Sequence, residues 1–116
     1  MTMTDEPDII EMEQLFPSEP ESSERQLFLS VILQALLDAT KEKTQNEKIR
    51  TTYDRDRAKA WLLAEVGVTC QNFEEICGMA GVSPNVTRTF AYQVVHSTNK
   101  DFIRRRIKNI LGDKDE

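Results

Sequence analysis

A chain of 116 residues with 15 Lys plus Arg, 20 Asp plus Glu and a net charge of −5 has room for one domain with one small core. Only four Gly and four Pro, with 7% aromatic residues, disfavour a β-barrel or sandwich, which needs frequent turns and many β-branched or aromatic positions. The acidic total argues at first against a nucleic-acid partner, but the charge is unevenly placed. Residues 1–24 hold eight acids and no base, whereas residues 25–112 hold nine acids and fourteen bases, so an acidic arm of −8 precedes a body of +5.

Residues 1–22 carry three prolines (Pro7, Pro17, Pro20) and most of the arm's acids, which predicts a disordered tail. Within it Ile9, Ile10, Met12, Leu15 and Phe16 lie at roughly helical spacing. The segment is either a solvated leader or a piece that folds onto a protein partner or onto the basic body. The first five residues lack the basic and apolar stretches of a secretory signal. The most apolar run, residues 27–37, is interrupted by Ser30 and Gln34 and is too short to span a bilayer. Cys70 and Cys77 make no disulfide framework. These features predict a cytoplasmic protein with no membrane partner.

A helical domain is expected over residues 23–112, with residues 113–116 a second disordered end. The first helix is expected to begin after Ser23, where Ser23 and Gln26 fit a capping box and Glu24 suits the positive end of the dipole. Positions 28, 32, 35, 36 and 39 form one stripe, and Leu29, Leu33 and Leu37 widen it. A stripe that wide is buried on two sides. The second side is either core or a subunit interface; on the latter reading Leu29, Leu33, Leu36 and Leu37 meet a second copy and the chain is a homo-oligomer. Residues 41–50 (KEKTQNEKIR) are a helical extension or a loop. A second helix is expected over about residues 54–66, with Ala58, Trp61 and Leu62 inward, Arg55, Arg57 and Lys59 on its solvated side, and Gly67 as its stop.

Three shorter helices follow. Asn72 with Glu75 suggests a cap before Phe73, Ile76, Cys77 and Ala80, and Gly81 stands where a left-handed terminal residue belongs. Ser83-Pro84 pairs an N-cap hydroxyl with a proline suited to the first helical position, ahead of Val86, Phe90, Val94 and Val95. Thr98 with Asp101 suggests a cap for a last helix bearing Phe102, Ile103, Ile107, Ile110 and Leu111 and closed by Gly112. The expected fold class is therefore all-α, a bundle of about five helices with an acidic tail.

Catalysis finds little support. His96 is the single histidine, Cys70 and Cys77 are not spaced as a chelating pair, and no phosphate-binding glycine loop or nucleophile elbow occurs. Acid pairs such as Glu74-Glu75 suit a first helical turn. Neither an enzyme nor a cofactor is expected.

The informative segment is residues 73–92, FEEICGMAGVSPNVTRTFAY: two short helices joined by a glycine-containing turn. Cys77, Gly81 and Val82 resemble the helix-turn-helix DNA-binding family, whose members place a small residue in the first helix, Gly four residues later and an aliphatic next. The small side chain permits a close crossing, the Gly a positive φ, and the aliphatic fills the angle between the helices. Thr87 departs from the pattern, standing where a buried aliphatic is expected, and leaves the second helix's register open.

The resemblance covers about twenty residues and implies a double-stranded DNA partner. It makes the helix after Ser83 the recognition helix, with Ser83, Asn85, Arg88, Thr89, Tyr92 and Gln93 toward the duplex. Asn pairs with adenine, Arg with guanine, and Ser or Thr with phosphate or base. Lys100, Arg104 and Arg105 either reach the DNA backbone or form the solvated side of the last helix. The small size and acidic leader look like phage-type proteins, which implies a transcriptional regulator or a packaging subunit similar to terminase small subunits, in a bacterial or phage-infected cell. The alternative from another class is a helical adaptor or inhibitor without DNA contact.

Overall fold

The computed structural model describes residues 23–112; both ends expected to be disordered, 1–22 and 113–116, lie outside the described residues. Within the described residues all regular structure is helical: α1 (Ser23–Ala39), α2 (Ile49–Leu63), α3 (Gly67–Ala80), α4 (Pro84–Val95) and α5 (Lys100–Leu111). The all-α expectation holds.

Helix α1 is the axis of the fold and packs against α2, α3 and α5. Its wide apolar stripe is explained by that position. Ile32 and Leu36 are fully buried, and Leu29, Leu33 and Leu37 are at most 7% exposed. This corrects the interface reading: Leu29, Leu33, Leu36 and Leu37 are occupied in this chain's own core and offer nothing to a second copy. Burying such a set on several neighbours supplies most of the driving force for folding, at roughly 1.5–3 kcal/mol per large aliphatic side chain.

Several boundaries differ from the sequence reading. Ser23 is already the first residue of α1. Helix α2 starts at Ile49 rather than near Asp54, and it ends at Leu63 because Ala64 turns to an extended conformation. Gly67 therefore opens α3 instead of stopping α2, at φ +92°. Asn72 is no cap: it lies inside α3, where its Oδ1 accepts the Trp61 indole N–H at 2.8 Å. An asparagine inside a helix costs only some tenths of a kcal/mol, which satisfying the indole offsets. Nor does Thr98 cap α5, whose N-cap is Asn99 without a side-chain bond; instead Ser97 Oγ accepts the Asn99 amide at 3.0 Å.

The polar segment after α1 is an ordered loop held by a clasp that charge patterning does not reveal. Arg55, expected on a solvated face, is 3% exposed at its side chain, and Glu47 is 7% exposed. The Arg55 guanidinium grips both Glu47 oxygens, and its Nε donates to the Lys41 carbonyl at 2.9 Å. The Thr52 hydroxyl and the Thr44 amide also donate to Glu47. The bond from Thr52, together with the Thr44 amide and the Arg55 charge, holds the Glu47 carboxyl below its ordinary 4.5 despite the opposing effect of burial.

A depressed carboxyl pKa contributes stability that is complete above the unfolded-state value and is lost as pH falls through the folded-state value. The stability gap between wild type and Glu47→Gln is therefore expected to narrow as urea midpoints are taken from pH 7 into the range below about 4.5. A gap that stays constant to pH 3 contradicts the clasp.

At the far end of α1, the Thr40 hydroxyl donates to Leu36 O at 2.7 Å. Arg104 from α5 donates to Leu37 O and, at 3.0 Å, to Thr40 Oγ1. The Leu37 carbonyl in the last turn of α1 is thus satisfied by a cation, the sign that the negative end of the helix prefers.

Candidate nucleic-acid interface

The segment from α3 to α4 is built as its residues require. Gly81 is left-handed, at φ 80° and ψ 26°. The Val82 amide donates to Cys77 O at 3.0 Å and the Gly81 amide to Gly78 O at 3.1 Å. This pair of bonds is the Schellman ending, completed by the burial of both Val82 and Cys77. Ser83 then caps α4 by accepting the Val86 amide on its hydroxyl at 3.3 Å, with Pro84 at the first helical position.

The register question is settled by burial. Cys77, Ala80, Val82, Thr87 and Phe90 all face inward, with Thr87 at 0% exposure. A polar residue is tolerated there because its hydroxyl donates to Ser83 O at 2.7 Å. The rest of Thr87 packs as an aliphatic would. Burial pushes the Cys77 thiol up to about 11, and burial followed by the nearby Glu74 carboxylate also raises Cys70. Both cysteines are buried packing residues, and burial disfavours the thiolate at each.

With that side of α4 turned inward, Ser83, Asn85, Val86, Thr89, Tyr92 and Gln93 are exposed. Five of the six expected recognition residues therefore share the outer surface. Arg88 does not. Its side chain is 18% exposed and lies 3.8 Å from the Glu74 carboxylate. It donates to Cys70 Sγ at 3.3 Å, and its guanidinium carbon sits 5.2 Å from the centre of the Phe73 ring. The guanidinium ties α4 to α3, which corrects the base-reading role expected for it. Its Nε is buried without a partner among the described residues.

The expected backbone contacts divide similarly. Arg105 is exposed. Lys100 folds back to donate to Ser97 O at 3.0 Å, and Arg104 holds the end of α1. Sequence reasoning missed a different cationic surface, a cleft of about 960 Å³ lined by Lys41, Lys43, Lys59, His96, Lys100 and Arg104 among others. It lies where the end of α1, the clasped loop, α2 and the α4–α5 turn meet. It also adjoins the α4 surface, because the His96 ring rests 4.4 Å from that of Tyr92. The abundance of lysine in KEKTQNEK was a legible signal; its convergence with the α4–α5 turn was not.

A second concavity, of about 640 Å³, runs between α1, α2 and α3, with Leu27, Val31, Ala35, Trp61, Ile76 and Leu111 on its walls. Among the described residues no cluster of three or more His, Cys, Asp or Glu side chains is placed to hold a metal ion, and no helix is long and apolar enough to cross a membrane. No protein-family model, curated protein or solved structure matches the chain.

Proposed function

We propose that this chain binds double-stranded DNA by laying the outer face of α4 against base edges. The observation that carries this reading is the register of α3 and α4 about Gly81. Burial of Cys77, Ala80, Val82, Thr87 and Phe90 leaves Asn85, Thr89, Tyr92 and Gln93 exposed along one side of α4, with Ser83 exposed at its start. Asn85 and Gln93 have the paired donor and acceptor that match adenine in the major groove. Ser83 and Thr89 suit phosphate or base, and Tyr92 offers an apolar ring with a hydroxyl. Arg88 acts from behind by holding α4 against α3. The regulator and packaging roles that the family resemblance implies both begin with such a duplex contact.

The described residues carry ten acids and fourteen bases, a net +4 that favours a polyanion despite the acidic total. Titrating isotope-labelled protein with a short duplex is expected to shift the amide signals of Asn85, Thr89, Tyr92 and Gln93. Absence of shifts at low salt, in the full chain and in a chain starting at Ser22, removes the proposal.

One observation favours a second reading, a helical module that binds a protein and not DNA. Leu27 and Val31 are 61% and 42% exposed on the wall of the apolar groove between α1, α2 and α3, more apolar surface than a solvated face needs. Shifts confined to that groove on addition of a protein partner, with none from DNA, support it.

A further inference from the structure

We propose that the cleft at the end of α1 is a seat for phosphate groups. The cleft is concave and about 960 Å³ in volume, and its walls carry Lys41, Lys43, Lys59, Lys100 and Arg104 against two carboxylates, Glu42 and Asp101. Arg55 also lines it, but its charge is matched by Glu47. The remaining balance is five cations to two anions in a space whose low-dielectric walls concentrate the field.

The ammonium groups of Lys41, Lys43 and Lys59 make no hydrogen bond or ion pair among the described residues. Cations gathered round a hollow in excess of its carboxylates repel one another, and an anion placed between them relieves that repulsion. The negative end of α1 does not oppose this, since Arg104 already occupies the Leu37 carbonyl and the Thr40 hydroxyl. The first residues of α5, Lys100 and Asp101, line the same hollow, and Asn99 does not cap that helix with its side chain. The positive end of a second helix thus adds to the lysine field.

Phosphate is the anion class that fits, because several separated cations and backbone amides match its several oxygens better than they match one carboxylate. The inference rests on the duplex reading only for the source of the phosphate. His96 lines the cleft and rests against Tyr92 of the α4 face, so the cleft adjoins the surface proposed to meet the duplex and a phosphate of that duplex is the nearest source. A free phosphate compound has the same chemistry.

The test compares wild type with a triple variant, Lys41→Gln, Lys43→Gln and Lys59→Gln, in two titrations. These side chains make no bonds among the described residues, so the variant is expected to keep the wild-type circular dichroism and urea midpoint. In the first titration, unrelated duplexes are expected to lose affinity for the variant by the same factor. The slope of log affinity against log salt is expected to become shallower by about 0.9 per phosphate contact removed. In the second, inorganic pyrophosphate is expected to shift the amides of residues 97–101 in wild type and not in the variant.

Duplex binding with an unchanged salt slope in the variant overturns the cleft and leaves the α4 reading intact. Pyrophosphate shifts without any duplex binding uphold the cleft, overturn the DNA reading and identify the phosphate source as a small molecule. Absence of both overturns both.

Discussion

Replacing Phe73 by alanine is expected to cost about 3–5 kcal/mol of stability, the largest single effect in this molecule. The side chain is completely buried, and its ring makes an edge-on contact with Trp61 at 5.1 Å between centroids. On the other side the Arg88 guanidinium lies over it at 5.2 Å. Truncation therefore removes core contacts and an aromatic pair, and strips the support from beneath Arg88. Small domains retain about 5–15 kcal/mol in total, so the variant sits close to unfolding. Urea denaturation reads the effect as a lower midpoint at unchanged slope. A loss under about 1 kcal/mol contradicts the packing described for Phe73. Because Arg88 belongs to α4, the loss is also expected to loosen the outer face of that helix before the whole domain unfolds.

The same substitution at two glycines three residues apart is expected to act in opposite directions. Gly78 is exposed within α3, and a β-carbon there meets nothing within 4 Å. Gly78→Ala is expected to stabilise the fold by about 0.5–1 kcal/mol, the usual preference of a helix for alanine. Gly81 is held at φ +80°, and a β-carbon added there stands 3.1 Å from the Arg25 side chain. The flexible arginine can give way, but the backbone cannot without breaking the two bonds that end α3. Gly81→Ala is therefore expected to destabilise by about 1–2 kcal/mol. Thermal or urea midpoints of the two variants check the pair. If both move the same way, the left-handed turn is not what joins these helices.

The parts of this fold that were legible in the sequence are those governed by neighbours in the chain. Gly81 and Gly112 end helices in left-handed conformations because glycine carries no penalty there. Ser83-Pro84 starts α4 through a bond to Val86, three residues on. The width of the α1 stripe also announced burial on more than one side. What covers that stripe was not legible, since a leucine buried by α2 and α3 has the same pattern as one buried by a second copy. Long polar contacts were hidden for the same reason. Arg55 and Arg88 look like solvated charges until Glu47, eight residues away, and Cys70, eighteen residues away, are brought to them. Arg104 reaches Leu37 and Thr40 from the other end of the domain. Three arginines expected at the surface thus hold the fold together, while lysines of the α1–α2 loop help to form the cationic hollow. For Thr87, the backbone acceptor one turn back in the same helix reconciles a polar residue with a buried register.

Arg88 also changes what mutagenesis of α4 means. Since it contacts Cys70 and Glu74, its removal is expected to weaken α4 packing and, on the proposed duplex reading, to lower affinity for every DNA sequence alike. On the same proposal, Asn85→Ala, at an exposed position of α4, is expected to change affinity for some base pairs more than for others.

The most direct measurement is the affinity of the full chain for a labelled duplex across a salt series from about 50 to 200 mM. Duplex recognition by α4 beside the lysine-lined cleft predicts binding at low salt that weakens linearly on a log–log plot, with a slope of about −3 or steeper for three or more phosphates engaged. No binding at low salt, or an affinity indifferent to salt, contradicts the DNA-binding account.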